Sequence, residues 1–423
     1  MIAKLIIALL FLSASALAAT PLTLKEALSK ATSSNPELKI SEFELDATKG
    51  LLKSERSLFF PTFGIEGGYQ KFDSDAEKIS GNFGNLFGEY KFDLAGSQYF
   101  YYRATSVDSE IAKLKQDQIR KQLQWLIETK FSRALYLQES IKLYKIALEQ
   151  NVKFAQAAKK KKASGLASEA DVIEFDLNES MLKSDLEEIQ SDFNEALNEL
   201  RVSLGLTSSD AIELKGSLEH FHIMESIDQL KGRLNQSSLK RQVVELEAKK
   251  ANHIQSASYG GFLPEITLKA TYGRRGMDEP EGPEQTYFVV ARWELFSGFK
   301  DLGNYQMALA LEQKAEFKKR QNDLNLPAEL ETVYKKFIAL QNRVDLESQN
   351  KERSKTYLNT VMSEYRRGVK NSADLKSASM QLLEASLRDL KYRYEGIKQK
   401  EVLQTLIGDS VKFEVHSTNH KIN

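Results

Sequence analysis

The chain has 423 residues, enough for two or three ordinary domains, and its 59 basic and 59 acidic side chains cancel. This balance gives no electrostatic argument for a nucleic-acid partner. Hydrophobic residues make up 41% of the sequence and charged residues 28%, which is typical of a folded chain. The sequence contains no cysteine, so disulfides and thiol chemistry are excluded.

The N-terminal segment, positions 1–18, has the pattern of a secretory signal peptide. Lys4 supplies a short positive region, Leu5 to Leu12 is apolar, and Ala16-Leu17-Ala18 is typical of a cleavage site. A transmembrane helix needs about 20 apolar residues, more than this run contains. We therefore expect this segment to be removed. No later stretch is apolar enough for a spanning helix, so any membrane-inserted part must consist of β-strands.

The rest of the sequence predicts two copies of one unit. Pro61 and Pro264 differ by 264 − 61 = 203 positions, and Gly165 and Gly368 by 368 − 165 = 203. The upstream ends match less cleanly. Three further pairs have the same or nearly the same offset: Asp171 with Asp374, Gly205 with Gly408, and Gly96 with Gly298. We predict repeats over residues 19–215 and 216–410, followed by a C-terminal tail over 411–423.

Each predicted repeat has the order helix, strand, strand, long helix, helix. Asn35 as N-cap and Pro36 as first helical residue predict a helix to about Leu58, and a second helix is predicted over 238–257. Alternating apolar and polar residues then predict half-buried strands. The predicted strands lie near 61–72, 86–96, 264–274 and 286–297, with polar loops over 73–85 and 274–285.

Long helical patterns follow each strand pair. Residues 96–165 and 298–368 have apolar side chains mostly three or four apart, and a helix of this length spans about 100 Å. The return helices, 168–205 and 371–408, are shorter. Each return helix, stacked end to end with the helix before the strands, nearly matches the long helix in length. Each repeat therefore predicts two parallel helical columns. Pro327 lies inside the second long helix and predicts a kink.

The number of strands bears on the assembly. A strand of about ten residues suits a tilted membrane crossing. Four strands cannot close a barrel, and an open edge is not viable in lipid. Two copies give a barrel that side chains nearly fill, whereas three copies give twelve strands and leave a lumen. A conducting pore therefore favours a trimer, although symmetry alone does not select it.

In their order and spacing, several features resemble the TolC-like outer-membrane efflux proteins. They are the signal peptide, the opening Leu24-Lys25-Glu26-Ala27-Leu28, the segment Asn35-Pro36-Glu37-Leu38, the strand starts at Pro61 and Pro264, and two helix-hairpin tips. The resemblance covers nearly all of the mature chain. It implies a mainly α fold with a small β part, in which a homotrimer forms a 12-stranded outer-membrane β-barrel that a periplasmic α-helical barrel continues.

The same resemblance implies an outer-membrane exit duct, with most of the chain in the periplasm. Such a duct serves tripartite efflux or type I secretion and passively conducts drugs, small molecules or proteins. The implied partners are outer-membrane lipid, a periplasmic adaptor (a membrane fusion protein) and an inner-membrane RND, ABC or MFS transporter. The competing interpretation is a periplasmic coiled-coil scaffold or adaptor without a pore, which suits the long helices but not the amphipathic strand pairs.

The two hairpin tips, residues 163–171 and 366–374, have the residues of a helix–turn–helix connection. Gly165 and Gly368 are expected to end the incoming helices in a left-handed conformation. Ser168 and Asn371 are expected to cap the outgoing helices. Three residues after each cap, Asp171 and Asp374 would lie near the positive end of the helix dipole.

By resemblance, these tips also close the periplasmic entrance. Asp171, Tyr365 and Lys370 fall where links between hairpins form, and Asp374 falls where an acidic ring narrows the pore and favours cations. Ser377 occupies the next acidic position of that pattern, which argues against a second acidic ring. Lys370 stands where an arginine is expected and is a weaker bidentate partner.

Three further groups of residues are candidates for a role. The lysines before the first tip suit either a solvated helix face or a docking site for the adaptor: Lys159, Lys160, Lys161 and Lys162. Tyr99 to Tyr102 and Trp293 suit aromatic girdles, and Trp293 suits core packing equally well. The charged and polar strand residues expected to face the barrel lumen are Glu66, Gln70, Glu89, Lys91, Asp93, Lys269, Arg292 and Glu294.

No pattern of enzymatic chemistry is present in the sequence. It has no phosphate-binding loop, nucleophile elbow or dinucleotide fingerprint. His220-Phe221-His222 lacks the neighbouring cysteines or histidines of a metal motif, so no metal site is predicted there. We therefore expect a protein that is not an enzyme, binds no cofactor and depends on a partner for transport energy.

Overall fold

The structure is a computed structural model, and it is mainly helical with a small β part. It describes residues 20–73, 78–207, 210, 212–274 and 283–416. The predicted signal peptide lies outside the described residues, as does the last part of the predicted tail.

Eight α-helices occur in the described part of the chain. Two of them have 67 residues each, and the others have between 11 and 36. They are α1 (Leu24–Ser34), α2 (Pro36–Ser57), α3 (Ser97–Ala163), α4 (Glu169–Ser203), α5 (Ile227–Ser237), α6 (Leu239–Ala257), α7 (Lys300–Arg366) and α8 (Ser372–Ile407).

The strands form one four-stranded sheet and two short pairs. They are β1 (Thr20–Thr23), β2 (Thr62–Asp73), β3 (Lys78–Asp93), β4 (Ile212–Lys215), β5 (His220–Ile223), β6 (Glu265–Arg274), β7 (Glu284–Arg292) and β8 (Phe413–His416). The large sheet is antiparallel with the order β2-β3-β6-β7, so β2 and β7 are its edge strands. β1 pairs with β4 in parallel, and β5 pairs with β8 antiparallel.

The elements recur at the same offset that the sequence shows. The starts of α3 and α7 differ by 300 − 97 = 203 positions, and their ends differ by 366 − 163 = 203. The same holds for the starts of α1 and α5, 227 − 24 = 203, and of β2 and β6, 265 − 62 = 203. The upstream region, where the sequence match is loose, thus keeps the offset at its helix starts.

Local capping explains where four of these helices begin. In each, a side-chain oxygen at the N-cap accepts the backbone N–H three residues on, whose own side chain bonds back to the cap. The four capping boxes form two equivalent pairs, Thr23/Glu26 with Ser226/Gln229 and Ser168/Asp171 with Asn371/Asp374. The Ser226 box is a signal that the sequence analysis missed.

The chain packs as two compact units that do not follow the repeats. The first contains the described residues of 1–38, 119–238 and 326–423, and the second contains those of 39–118 and 239–325. Each unit draws segments from both predicted repeats. This is expected when one repeat alone cannot cover the apolar faces of its own helices.

α7 continues through Pro327 as one helix. The neighbouring Leu326 and Leu330 are fully buried in a core cluster with Leu230, Leu234 and Leu403. The predicted kink stays a prediction.

None of the helices in the described ranges is both long enough and apolar enough to cross a membrane.

The first strand pair differs from its prediction. The loop predicted over 73–85 is wrong in its second part, because β3 begins at Lys78. Glycines opposite aromatic residues account for the longer strand: Gly64 pairs with Phe87, and Gly68 pairs with Phe83. A Cβ atom on Gly64 would lie 2.7 Å from the Phe87 ring, so each ring covers the space that a side chain would fill. β7 ends earlier than predicted, at Arg292.

Candidate functional site

The two hairpin tips have the same backbone geometry. Gly165 and Gly368 have φ of +72° and +81°, the left-handed region that side chains disfavour. After each glycine, the next N–H reaches back to a carbonyl five residues earlier, from Leu166 to Lys161 at 2.8 Å and from Val369 to Glu364 at 3.0 Å. These bonds satisfy the last carbonyls of α3 and α7.

Asp171 caps α4 and also reaches the second tip. Its Oδ2 accepts hydrogen bonds from the backbone N–H and the hydroxyl of Ser168, both at 2.8 Å. Hydrogen bonds from Ser168, and then from Ser372 of the second tip, hold the pKa of Asp171 below its usual value of 3.8. A lowered pKa means that this stabilisation is fully present above pH 3.8 and is lost as the pH falls through the lower, folded-state pKa.

Asp374 has the equivalent place at the second tip. Its backbone N–H donates to Asn371 Oδ1 at 2.9 Å, and Lys370 Nζ lies 3.6 Å from its Oδ1. Among the ion pairs of the described residues, Lys370 therefore pairs within its own tip rather than with Asp171. Both aspartates are helix-start carboxylates, as the structural interpretation predicts.

Tyr365 is buried between the tips, with 4% of its surface exposed. Lys161 Nζ lies 3.8 Å from the centre of the Tyr365 ring and donates a hydrogen bond to the Tyr365 carbonyl. The Tyr365 hydroxyl is 3.4 Å from the hydroxyl of Ser372. Lys161 and Ser372 were not predicted as partners of Tyr365. Lys161 lies in the other hairpin, before its tip, and the approach of Ser372 does not follow from local pattern.

The four lysines before the first tip do not act as one patch. Lys161 turns onto Tyr365, whereas Lys162 pairs with Glu169 and Lys159 Nζ lies 3.8 Å from Asp176. Lys159, Lys160 and Lys162 are exposed. Only these three have the exposure that a docking surface needs.

Further contacts next to the tips join the two hairpins within one chain. Lys376 Nζ of α8 lies 2.5 Å from Glu174 Oε1 of α4. Behind this ion pair, apolar side chains of both hairpins pack into one cluster, which includes Phe154, Ala158, Val172, Phe175, Val361, Leu375 and Ala378. Charged contacts at the surface and an apolar cluster beneath them therefore hold the tips together.

The large sheet has one polar face. Register places Glu66, Glu89, Lys91, Lys269 and Arg292 on it, because successive side chains of a strand alternate between faces. Lys269 Nζ lies 3.0 Å from Glu66 Oε2, and Lys91 Nζ lies 3.0 Å from Glu89 Oε1. Glu66 and Lys269 are equivalent in the two repeats, since 269 − 66 = 203.

Asp93 lies on the same polar face, opposite Glu265, and has a second role. Asp93 accepts backbone hydrogen bonds from Ser97 at 2.7 Å and Gln98 at 3.2 Å, so it caps the start of α3 as well as ending β3. Glu294 lies beyond the end of β7. Trp293 is 58% exposed and donates from Nε1 to the Phe262 carbonyl at 3.2 Å, which makes the core-packing interpretation wrong. The side chain of Gln70 lies outside the described part.

The opposite face of the sheet is apolar and uncovered. Register aligns Ile65 with Leu86, Leu86 with Tyr272, and Leu268 with Val289 across the four strands. Ile65 is 81% exposed and Val289 is 76% exposed. A contiguous apolar surface of this kind marks a place where another protein or a membrane binds. The remaining large exposed members of this face are Phe63, Tyr69 and Tyr287.

Comparison with known proteins identifies relatives of this architecture. The family described as outer membrane efflux protein matches residues 27–206 and 232–409. The outer membrane protein VceC from Vibrio cholerae has a similar structure, with a TM-score of 0.80 and 17% identity over 92% of this chain and 97% of that chain. No curated protein matches the sequence.

Two further solved structures are similar. The CmeC outer membrane channel of Campylobacter jejuni matches with a TM-score of 0.79 and 14% identity, over 92% of this chain and 86% of that chain. The open state of the MtrE outer membrane channel of Neisseria gonorrhoeae matches with a TM-score of 0.77 and 15% identity, over 92% and 89%. At these identities the likeness shows the fold.

Proposed function

This chain belongs to the outer membrane efflux protein family, and on that premise we propose that it is the outer-membrane exit duct of a tripartite efflux or type I secretion system. It conducts drugs, small molecules or proteins passively. A periplasmic adaptor and an inner-membrane RND, ABC or MFS transporter supply the cargo and the energy. Most of the chain lies in the periplasm.

The observation that carries this proposal is the two-faced sheet with open edges. One face is apolar and exposed, which suits contact with lipid, and the other has charged pairs, which suit a water-filled lumen. β2 and β7 are edge strands, and an unpaired edge is not viable in lipid. Pairing β7 of one copy with β2 of the next satisfies both edges, and three copies give twelve strands with a lumen.

The test is conductance of the purified protein. The full chain, with its predicted signal peptide, is expressed in a Gram-negative host, extracted from outer-membrane fractions with detergent, sized by light scattering and added to planar bilayers. We expect a trimer that inserts and gives stepwise currents. Release by osmotic shock, as a monomer without currents, would support the periplasmic scaffold instead.

We further propose that the tips gate the periplasmic end of this duct. Asp171, Tyr365 and Lys370 belong to the closing links, and Asp374 contributes the charge at the narrowest point. The described contacts within one chain support a closed arrangement, since Asp171 reaches Ser372 and Lys161 reaches Tyr365. Lys159, Lys160 and Lys162 are the candidate adaptor-docking residues.

Loss of charge at the tips should open the gate. We expect Asp171→Ala combined with Lys370→Ala to raise single-channel conductance several-fold, because both the link from Asp171 to Ser372 and the pair of Lys370 with Asp374 are removed. The measurement is current in planar bilayers at fixed voltage and salt.

The matched control is Glu149→Ala combined with Lys153→Ala. This pair also lies in the hairpin, with 2.7 Å between Glu149 Oε1 and Lys153 Nζ, and both side chains are well exposed. The control removes one acidic and one basic side chain, as the tip variant does, but away from the tips. Its conductance should equal that of the wild type. Equal conductance of the tip variant and this control would refute the proposed gate.

A further inference from the structure

The histidine motif of β5 has a carboxylate partner that lies far away in the sequence. His220 and His222 are two positions apart on one strand, so their side chains share a face, and their ring centres are 4.3 Å apart. Asp345 of α7 faces both rings. Its Oδ1 lies 3.6 Å from His220 Nδ1 and 3.7 Å from His222 Nε2.

Contacts outside this group fix the position of Asp345 against β5. Gln341 lies one helical turn before Asp345 on the same face of α7, and its Oε1 accepts the backbone N–H of Ile223 at 3.2 Å. A turn earlier again, the Phe337 ring lies 5.4 Å from that of Phe413, which belongs to the strand paired with β5. These contacts hold the strand against the helix independently of the two histidines.

The spacing of the three ligand atoms suits a shared ion better than direct hydrogen bonds. All three atoms lie within 4.8 Å of one another. The two measured separations exceed the usual hydrogen-bond distance of about 2.7 to 3.2 Å. In a tetrahedral zinc site with bonds of about 2.0 to 2.1 Å, neighbouring ligand atoms are about 3.4 Å apart. Small side-chain movements would bring the present atoms to that value.

The chemistry and exposure of the group also suit a metal ion. Imidazole nitrogens and a carboxylate oxygen are zinc ligands, and three protein ligands leave a fourth position for water. His220 is buried and His222 half-buried, whereas the Asp345 side chain is 44% exposed. An ion can therefore reach the group from solvent on the Asp345 side, while the more buried imidazoles lie on the protein side.

We propose that His220, His222 and Asp345 bind Zn²⁺ or a similar borderline divalent ion. The bound ion clamps β5, near the start of the second predicted repeat, to the long helix α7. It joins two elements that are distant in sequence, since 345 − 222 = 123, so it stabilises the folded chain by closing a long loop that is open in the unfolded chain. This site is separate from the tips and from the sheet.

The test is zinc binding to the purified mature chain in detergent, without a histidine tag and after treatment with a chelator. We expect one Zn²⁺ per chain by titration calorimetry and a zinc-dependent rise in the unfolding temperature. Co²⁺ used in its place should give the visible absorption of a tetrahedral site. His222→Gln and Asp345→Asn should each weaken binding by about a hundredfold, since even loss of a group behind a ligand costs about 10- to 100-fold.

His253→Gln is the matched control, because His253 lies in α6 and outside this group. It should bind zinc as the wild type does. Asp345→Asn should fold, because asparagine has nearly the shape of aspartate and the position is half-exposed. Circular dichroism of the variant checks that it does. Absence of binding, or equal binding by all four proteins, which would indicate an adventitious ion only, would overturn the proposal.

Discussion

Val289→Lys is expected to remove most of the protein from the outer membrane. Val289 lies on the edge strand β7, is 76% exposed, and belongs to the apolar face through its register with Leu268. A lysine on the lipid face of a barrel costs about 2 to 4 kcal/mol near the bilayer centre. In a trimer this cost arises three times, about 6 to 12 kcal/mol for the assembly, which is comparable to the whole stability of a typical domain.

The next residue provides the control. Val290 is also an exposed valine of β7, but it lies opposite Thr267 on the polar face. Val290→Lys therefore adds the same charge to the side that faces water in the proposed duct, and its cost should be small. The measurement is the amount of trimer extracted from outer-membrane fractions, by immunoblot against total expression. Equal recovery of the two variants would contradict the assignment of the faces.

Glu401→Gln is expected to stabilise the protein at neutral pH. Glu401 is 7% exposed in α8, and its Oε1 has no hydrogen-bond partner among the described residues. Burial, followed by the charge of Glu128, raises its pKa to about 9. The neighbouring lysine compensates only in part, because Lys400 Nζ is directed to Glu128 Oε1 and lies 4.2 Å from the centre of the Phe221 ring.

The sign of the pH dependence follows from this raised pKa. The unfolded carboxyl titrates near 4.5, so it loses its proton above that pH while the folded one keeps it. Stability is therefore greatest below pH 4.5 and falls as the pH rises from 4.5 to about 9. At pH 7, which is about 2.5 pH units above the unfolded-state pKa of 4.5, the loss of unfolding free energy is about 3 kcal/mol.

Glutamine has the shape of the protonated acid and does not titrate, so Glu401→Gln should remove the loss of stability between pH 4.5 and about 9. We expect a gain in unfolding free energy of about 3 kcal/mol at pH 7 and little change at pH 4. Chemical unfolding of the detergent-solubilised protein at both pH values measures it. Glu395→Gln, at a half-exposed position of the same helix, should have little effect at either pH. A variant that is no more stable than wild type at pH 7 would contradict the prediction.

Several features of the fold can be predicted from the sequence because the signals are local. A cap such as Ser168 with Asp171, or a left-handed glycine such as Gly165, involves only a few neighbouring residues. The structure has them where the sequence predicts them. The constant offset between the repeats extends this success, since the caps and left-handed glycines at one hairpin tip have counterparts at the other.

The start of β3 shows where local signals mislead. Asn82, Phe83, Gly84 and Asn85 have the composition of a turn, yet they continue a strand. The strand forms because Gly68 lies across from Phe83 and leaves room for its ring. That reason depends on a residue of another strand and is absent from the local pattern.

The sequence by itself determined the order of the four long strands and the hairpin helices, the lengths of those helices and the two faces of the sheet, since periodicity and capping act over a few residues. It did not predict the four short strands β1, β4, β5 and β8. Only the tertiary structure decided which side chains meet. It brought Lys161 to Tyr365, Glu174 to Lys376, and Asp345 to the His220 and His222 pair. The partners in each of these contacts are distant in the chain, and only the packing of separate helices and strands places them within contact distance.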